Sequence, residues 1–227
     1  DNDIDVLVTL EATPSVTEGG VITYTVTLNK VPTSDMTITL SNGESVEIKA
    51  GKTSGTVTID APGDDVYIDP SIEKAHISTT TGGGFTNVNY SSDDVSTSVV
   101  DDSDEVKVVL NATQTTTEDG GVIVYSATLT NADGLPATAK NNITVNLENG
   151  ETIVIKAGTL AESIQVPVDR DDVYKEVDIN GNPTDFISNK IASVSEANAG
   201  TPGSFENLTF DGSSKTTTIT DDVDPAV

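Results

Sequence analysis

From Val21 to Leu28 the chain alternates strictly: Ile22, Tyr24, Val26 and Leu28 are large and apolar, and they are interleaved with Val21, Thr23, Thr25 and Thr27. A period of two sets one face of a strand against a core and the other in water. Similar alternation recurs near 5–12, 36–41, 44–49, 55–60, 73–79 and 95–100. The Asn-Gly pairs at 42–43 and 149–150 fall between such runs, which predicts two-residue hairpin turns needing positive φ. Pro14, Pro32, Pro62, Pro136 and Pro202 lie between runs, and Pro167 lies inside one, which predicts an edge strand there. Seven short strands in about 100 residues read as an immunoglobulin-like sandwich.

The pattern occurs twice. Thr17–Tyr24 matches Thr117–Tyr125 with one inserted residue, Asp119, and Leu40–Gly51 matches Leu147–Gly158. The tetrapeptide Asp-Asp-Val-Tyr stands at 64–67 and at 171–174; Phe85–Tyr90 matches Phe205–Phe210, and Ser98–Asp102 matches Thr218–Asp222. One fold used twice is the expectation: an all-β chain of two tandem immunoglobulin-like β-sandwich domains, 1–102 and 103–227, with a linker at about 101–105.

Composition narrows the chemistry. The 227 residues include no cysteine, so disulfides and thiolate metal sites are excluded, and His76 is the sole imidazole. The net charge is -26, from 37 acidic against 11 basic residues, which disfavours nucleic acid and anionic membrane surfaces as partners. No apolar run approaches the roughly 18 residues that suggest a membrane span.

The acidic residues are clustered, and the clusters repeat. Asp-x-Asp triplets stand at Asp1 and Asp3, at Asp102 and Asp104, and at Asp222 and Asp224. With strands running alternately down and up, Glu18 falls in the first loop, Asp64 and Asp65 follow the fifth strand, and Asp101, Asp102 and Asp104 follow the last. All converge on one pole. The second half gathers Glu118, Asp119, Asp171, Asp172, Asp221, Asp222 and Asp224 in the same way. Like charges about 4 Å apart repel by roughly 4 kcal/mol at an effective dielectric near 20. Calcium, Ca2+, takes about 6 to 8 oxygens in flexible geometry and suits such a set better than magnesium or a transition metal. A solvated acidic pole is the alternative.

The combination of Thr-Glu-Gly-Gly-Val-Ile-Thr-Tyr, Leu-Ser-Asn-Gly-Glu, Asp-Asp-Val-Tyr and a terminal Asp-Asp-x-Asp resembles the tandem extender repeats of giant bacterial RTX adhesins of the biofilm and ice-adhesion type. The resemblance covers both halves. It implies immunoglobulin-like repeats whose short linkers calcium makes rigid, in a stalk that holds a ligand-binding tip away from the bacterial cell surface. It also implies neighbouring repeats of the same chain as partners. A monomer is expected, and no enzyme: paired acids could serve glycoside hydrolysis, but these lie at the domain ends and only 4% of residues are aromatic to stack sugars. The family's acidic positions fall on Glu18, Asp64, Asp65, Asp102 and Asp104, and on Glu118, Asp171, Asp172, Asp222 and Asp224. On this reading the outer triplets are linkers whose further neighbours lie beyond this stretch.

Other features carry less. Asp178, Asn180 and Asn182 have an alternating spacing, yet Gly181 precedes the position an EF-hand requires and Asn189 stands where its bidentate Glu would be. A polar loop or an extra ion fits there. His76 has no partner motif, the Gly82–Gly84 run lacks a following helix, and Tyr24, Tyr125, Phe85 and Phe205 read as core. The competing function is a binding module that uses loops 80–90 and 195–205 to contact glycan, ice or protein.

Overall fold

The computed structural model describes residues 5–169, 177, 179–183 and 185–221. Every regular element among them is a strand, and the chain forms two tandem β-sandwiches. By contacts, one unit comprises Asp1–Asp65 with Asp69–Asp102, and the other Val66–Ile68 with Ser103–Val227.

In the first unit β1 (Asp5–Ala12), β3 (Val21–Leu28), β6 (Ser54–Asp60) and β9 (Asn87–Tyr90) form a sheet in the order β6-β3-β1-β9. The pairs β1–β3 and β3–β6 are antiparallel, whereas β1–β9 is parallel. Opposite stand two three-stranded sheets. One is β5-β4-β8, from β4 (Met36–Leu40), β5 (Ser45–Ile48) and β8 (Ile77–Gly82); the other is β2-β10-β7, from β2 (Ser15–Thr17), β7 (Ser71–Ala75) and β10 (Val95–Val100). Ile22, Tyr24, Val26 and Leu28 of β3 are buried together with Met36, Ile38, Leu40, Val46 and Ile48. The alternation thus resolves as a core face and a water face.

The second unit repeats the plan. Its four-stranded sheet has the order β16-β13-β11-β19, from β11 (Glu105–Ala112), β13 (Val122–Asn131), β16 (Ala161–Pro167) and β19 (Asn207–Phe210). Facing it are β15-β14-β18, from β14 (Ile143–Leu147), β15 (Thr152–Ile155) and β18 (Ile191–Glu196), and β12-β20-β17, from β12 (Thr115–Thr117), β17 (Phe186–Asn189) and β20 (Lys215–Thr220). Pro167 ends β16 on the sheet edge, where its missing N–H costs no ladder bond. Tyr24, Tyr125 and Phe205 are buried, and Phe85 packs half-buried on its core.

Three details depart from the alternation pattern. Among the described residues each unit has ten strands rather than seven, because three-residue pieces such as β2 and the short parallel β9 are too brief to show a period. The expected strand 73–79 is interrupted at His76: β7 pairs with β10 and β8 with β4, so the chain changes partners there. The Asn-Gly hairpins close differently as well. Gly43 N–H donates to the Leu40 carbonyl (3.1 Å) and Leu40 N–H to the Glu44 carbonyl (2.8 Å). Gly43 has φ 92° and Asn42 is not among the positive-φ residues. This is a three-residue loop with glycine at the left-handed position, and Leu147, Gly150 and Glu151 repeat it.

Candidate metal centre

Glu18 sits in a turn that main-chain bonds hold against two other segments. Its N–H donates to the Val100 carbonyl (3.0 Å), at the end of β10, and Gly19 N–H donates to the Pro62 carbonyl (2.7 Å), just after β6. Gly20 N–H returns to the Thr17 carbonyl (3.1 Å), and Ala61 N–H donates to the Gly20 carbonyl (2.9 Å). These bonds draw the residues before Asp64 and before Asp101 toward one turn. Glycine is required twice. Gly19 has φ +66° with its Cβ position 3.1 Å from the Asp64 Cβ, and a Cβ on Gly20 would lie 2.8 Å from the Thr17 carbonyl oxygen.

Carboxylate oxygens of Glu18, Asp64 and Asp102 consequently lie within 4.8 Å of one another, as do those of Glu18, Asp69 and Asp101. Glu18 is shared by both groups and is only 7% exposed; Asp64, Asp69 and Asp102 are exposed and Asp101 is half-buried. The Asp101 carboxylate also accepts the Asp69 N–H at 3.1 Å. All candidate donors are oxygen, three carboxylates to a group, a set that suits a hard divalent cation of flexible coordination. Asp65 and Asp104 belong to neither group; Asp104 N–H donates to a Glu206 carboxylate oxygen at 2.7 Å. Asp69 is not among the ligands expected from the sequence, although an acid stands two residues after the tyrosine in both repeats, Asp69 after Tyr67 and Glu176 after Tyr174.

The second unit builds the same turn. Glu118 is 5% exposed; its N–H donates to the Thr220 carbonyl (3.2 Å), and Val168 N–H donates to the Gly121 carbonyl (2.8 Å). The inserted Asp119 is exposed, with its carbonyl accepting the Thr117 hydroxyl at 3.2 Å. Asp221 is half-buried just past β20. Asp1, Asp3, Asp171, Asp172, Asp222 and Asp224, as well as Asp178 in the loop considered for an extra ion, lie outside the described residues.

The turn is expected to be intolerant of a side chain at its second glycine. A Cβ on Gly121 would fall 1.9 Å from the Thr117 carbonyl oxygen, whereas one on Gly63 would meet nothing within 4 Å. Gly121→Ala should lower the urea unfolding free energy by about 1–3 kcal/mol, and Gly63→Ala should lie within about 0.5 kcal/mol of the parent. Equal urea midpoints for the two variants would contradict the close approach.

His76 is half-exposed, with Nδ1 2.8 Å from an Asp94 carboxylate oxygen. That contact joins the residue between β7 and β8 to the residue just before β10.

Both repeats match one family model, described as the LapA domain, over residues 5–102 and 104–222. No curated protein matches the chain.

Proposed function

Since the chain belongs to the LapA domain family over both of its repeats, we propose that it is a calcium-rigidified spacer of a bacterial cell-surface adhesin. The family's namesake is a large adhesin involved in biofilm, and the tandem match is the observation that carries the adhesion role. In this reading the protein is extracellular, non-enzymatic and monomeric, its partners are neighbouring repeats of the same chain, and it holds a binding tip away from the cell.

The calcium component is supported by the grouping of Glu18 with Asp64 and Asp102, and with Asp69 and Asp101. Glu18 contributes to both sets, so one buried carboxylate would serve two adjoining oxygen shells. The remaining positions of a shell of about 6 to 8 oxygens would come from main-chain carbonyls and water. Because Asp101 and Asp102 directly follow β10, an ion there would restrain the chain where it leaves the first sandwich. The same logic would apply to Glu118 and Asp221 in the second.

Titration calorimetry together with X-ray scattering tests this. Calcium should bind saturably, magnesium more weakly, and the maximum dimension should become fixed as calcium is added. A chain that takes up no calcium, or whose scattering curve is the same in calcium and EDTA, would sink the spacer mechanism. Family membership would stand in either case.

A further inference from the structure

The loop that joins β18 to β19 runs from 197 to 206, ten residues, whereas its counterpart between β8 and β9 runs from 83 to 86, four residues. The short loop closes onto its own unit. Thr33 N–H donates to the Gly83 carbonyl (3.0 Å) and Gly83 N–H to the Asp35 carbonyl (3.1 Å). Gly82, Gly83 and Gly84 all have positive φ, and a Cβ on Gly84 would fall 2.1 Å from the Thr33 hydroxyl oxygen. Both main-chain groups of Gly83 are therefore bonded within the first unit.

The longer loop is stiffened differently. Ser204 is fully buried; its hydroxyl donates to the Thr201 carbonyl (2.8 Å) and accepts the Gly200 N–H (3.0 Å). Glu196 accepts the Phe205 N–H (2.9 Å) and the Asn141 side-chain amide (3.3 Å). Burial pushes its carboxyl up, and these two donors draw it partly back. This bracing turns one main-chain edge of 203–206 toward Val66–Ile68, a segment of the same compact unit. Ile68 N–H donates to the Ser204 carbonyl (2.8 Å), Gly203 N–H to the Ile68 carbonyl (2.7 Å) and Glu206 N–H to the Val66 carbonyl (3.2 Å). The Tyr67 ring stacks on Phe205 with centroids 5.3 Å apart and planes 17° apart, and Lys140 Nζ lies 3.4 Å from the Tyr67 ring centroid. The Tyr67 hydroxyl donates to the Thr138 carbonyl at 2.6 Å.

We propose that the β18–β19 loop, with Phe205, Lys140 and Thr138, is a recognition seat for an extended Val-Tyr-Ile segment of an immunoglobulin-like repeat, and that only the second repeat carries such a seat. Recognition has two components. Main-chain pairing adds a short strand and supplies affinity without reading sequence. The stack, the cation over the ring and the hydroxyl acceptor together demand tyrosine. The first unit lacks the arrangement for two reasons. Its loop edge is closed by Thr33 and Asp35, and the residue at the position of Lys140 is Thr33. That correspondence follows from matched bonds: Gly51 N–H donates to the Pro32 carbonyl, and Gly158 N–H to the Ala139 carbonyl. The two repeats would then not be interchangeable as receivers of an Asp-Asp-Val-Tyr segment.

The test uses the full chain. In Tyr67→Ala, hydrogen exchange at the Gly203 and Glu206 amides should be at least tenfold faster than in the parent. A peptide of residues 62–70 added in trans should restore protection there and shift the NMR signals of 138–141 and 203–206 saturably. The same peptide with alanine for tyrosine should bind at least tenfold more weakly. Unchanged exchange in Tyr67→Ala would overturn the proposal. So would equal binding of the alanine peptide, the absence of saturable shifts at millimolar peptide, or shifts as large at 83–86. Should Tyr67→Ala fail to fold, Lys140→Thr in the intact chain decides the matter: exchange at Gly203 should rise at least threefold, and an unchanged rate would overturn the seat.

Discussion

In excess EDTA the Glu18→Gln chain should be more stable than the parent, and in saturating calcium it should be less stable. The reversal follows from the position of Glu18. It is buried and shared by two carboxylate groups whose oxygens lie within 4.8 Å of one another. Without a cation, its charge is held against those of its neighbours. Exposure of Asp64, Asp69 and Asp102 screens that repulsion, so neutralising Glu18 should relieve only on the order of 1 kcal/mol. With calcium at a hundredfold excess over Kd, each ion bound only by the folded chain adds about 2.7 kcal/mol. Losing one such site should lower the first unit's Tm by about 10–20 °C, because 1 kcal/mol is worth about 4–8 °C in a small domain. Scanning calorimetry in both solutions reads the two signs directly. A variant destabilised equally in EDTA and in calcium would make Glu18 a structural carboxylate. A variant identical to the parent in calcium would remove it from any cation shell.

The sequence makes some layers of this protein plain and hides others for physical reasons. Alternation along 21–28 is a local property, so the buried face of β3 was readable, and the repeat carried that reading to β13. The gathering of Glu18 with Asp64 and Asp102 was readable too, because loops of an up-and-down sandwich return to the same pole. What alternation cannot encode is the identity of a strand's partner. His76 shows this: the period continues from 73 to 79 while the chain leaves β10 and joins β4. Nor does it show which acids of a loop turn inward: Asp69 stands two residues after Tyr67 as Glu176 stands two after Tyr174, and only the fold brings the Asp69 carboxylate to Glu18 and Asp101. The hairpin at Gly43 illustrates a third limit. Asn-Gly signals a turn, but Gly43 N–H returning to Leu40, with Glu44 closing the loop, determines its length. Tyr67 is the furthest from legibility. Its motif was visible, yet its partners Thr138, Lys140 and Phe205 lie 71, 73 and 138 positions along the chain.

Tyr125→Ala should be the most damaging single change in the second unit, costing about 3–5 kcal/mol against a domain stability of about 5–15 kcal/mol. Tyr125 is 1% exposed among Ile123, Ala127, Leu129, Ile143 and Val145. Burial pushes its hydroxyl up, and the Asn189 side chain draws it partly back. Truncation removes the ring and also leaves the buried Asn189 facing a void. Tyr125→Phe keeps the ring and should cost about 1 kcal/mol, the scale of one hydroxyl interaction. The two buried cores have no residue in common, since one runs from Val6 to Val99 and the other from Val106 to Ile219. Hydrogen exchange should therefore show β11, β13 and β16 amides losing protection in Tyr125→Ala while β1, β3 and β6 keep theirs. Tyr24→Ala should do the reverse. Equal loss in both sets would mean that the cores unfold as one cooperative body. The distinction bears on a spacer: separate cores would let a chain under load give up one sandwich while the next keeps its fold, and a single cooperative body would not.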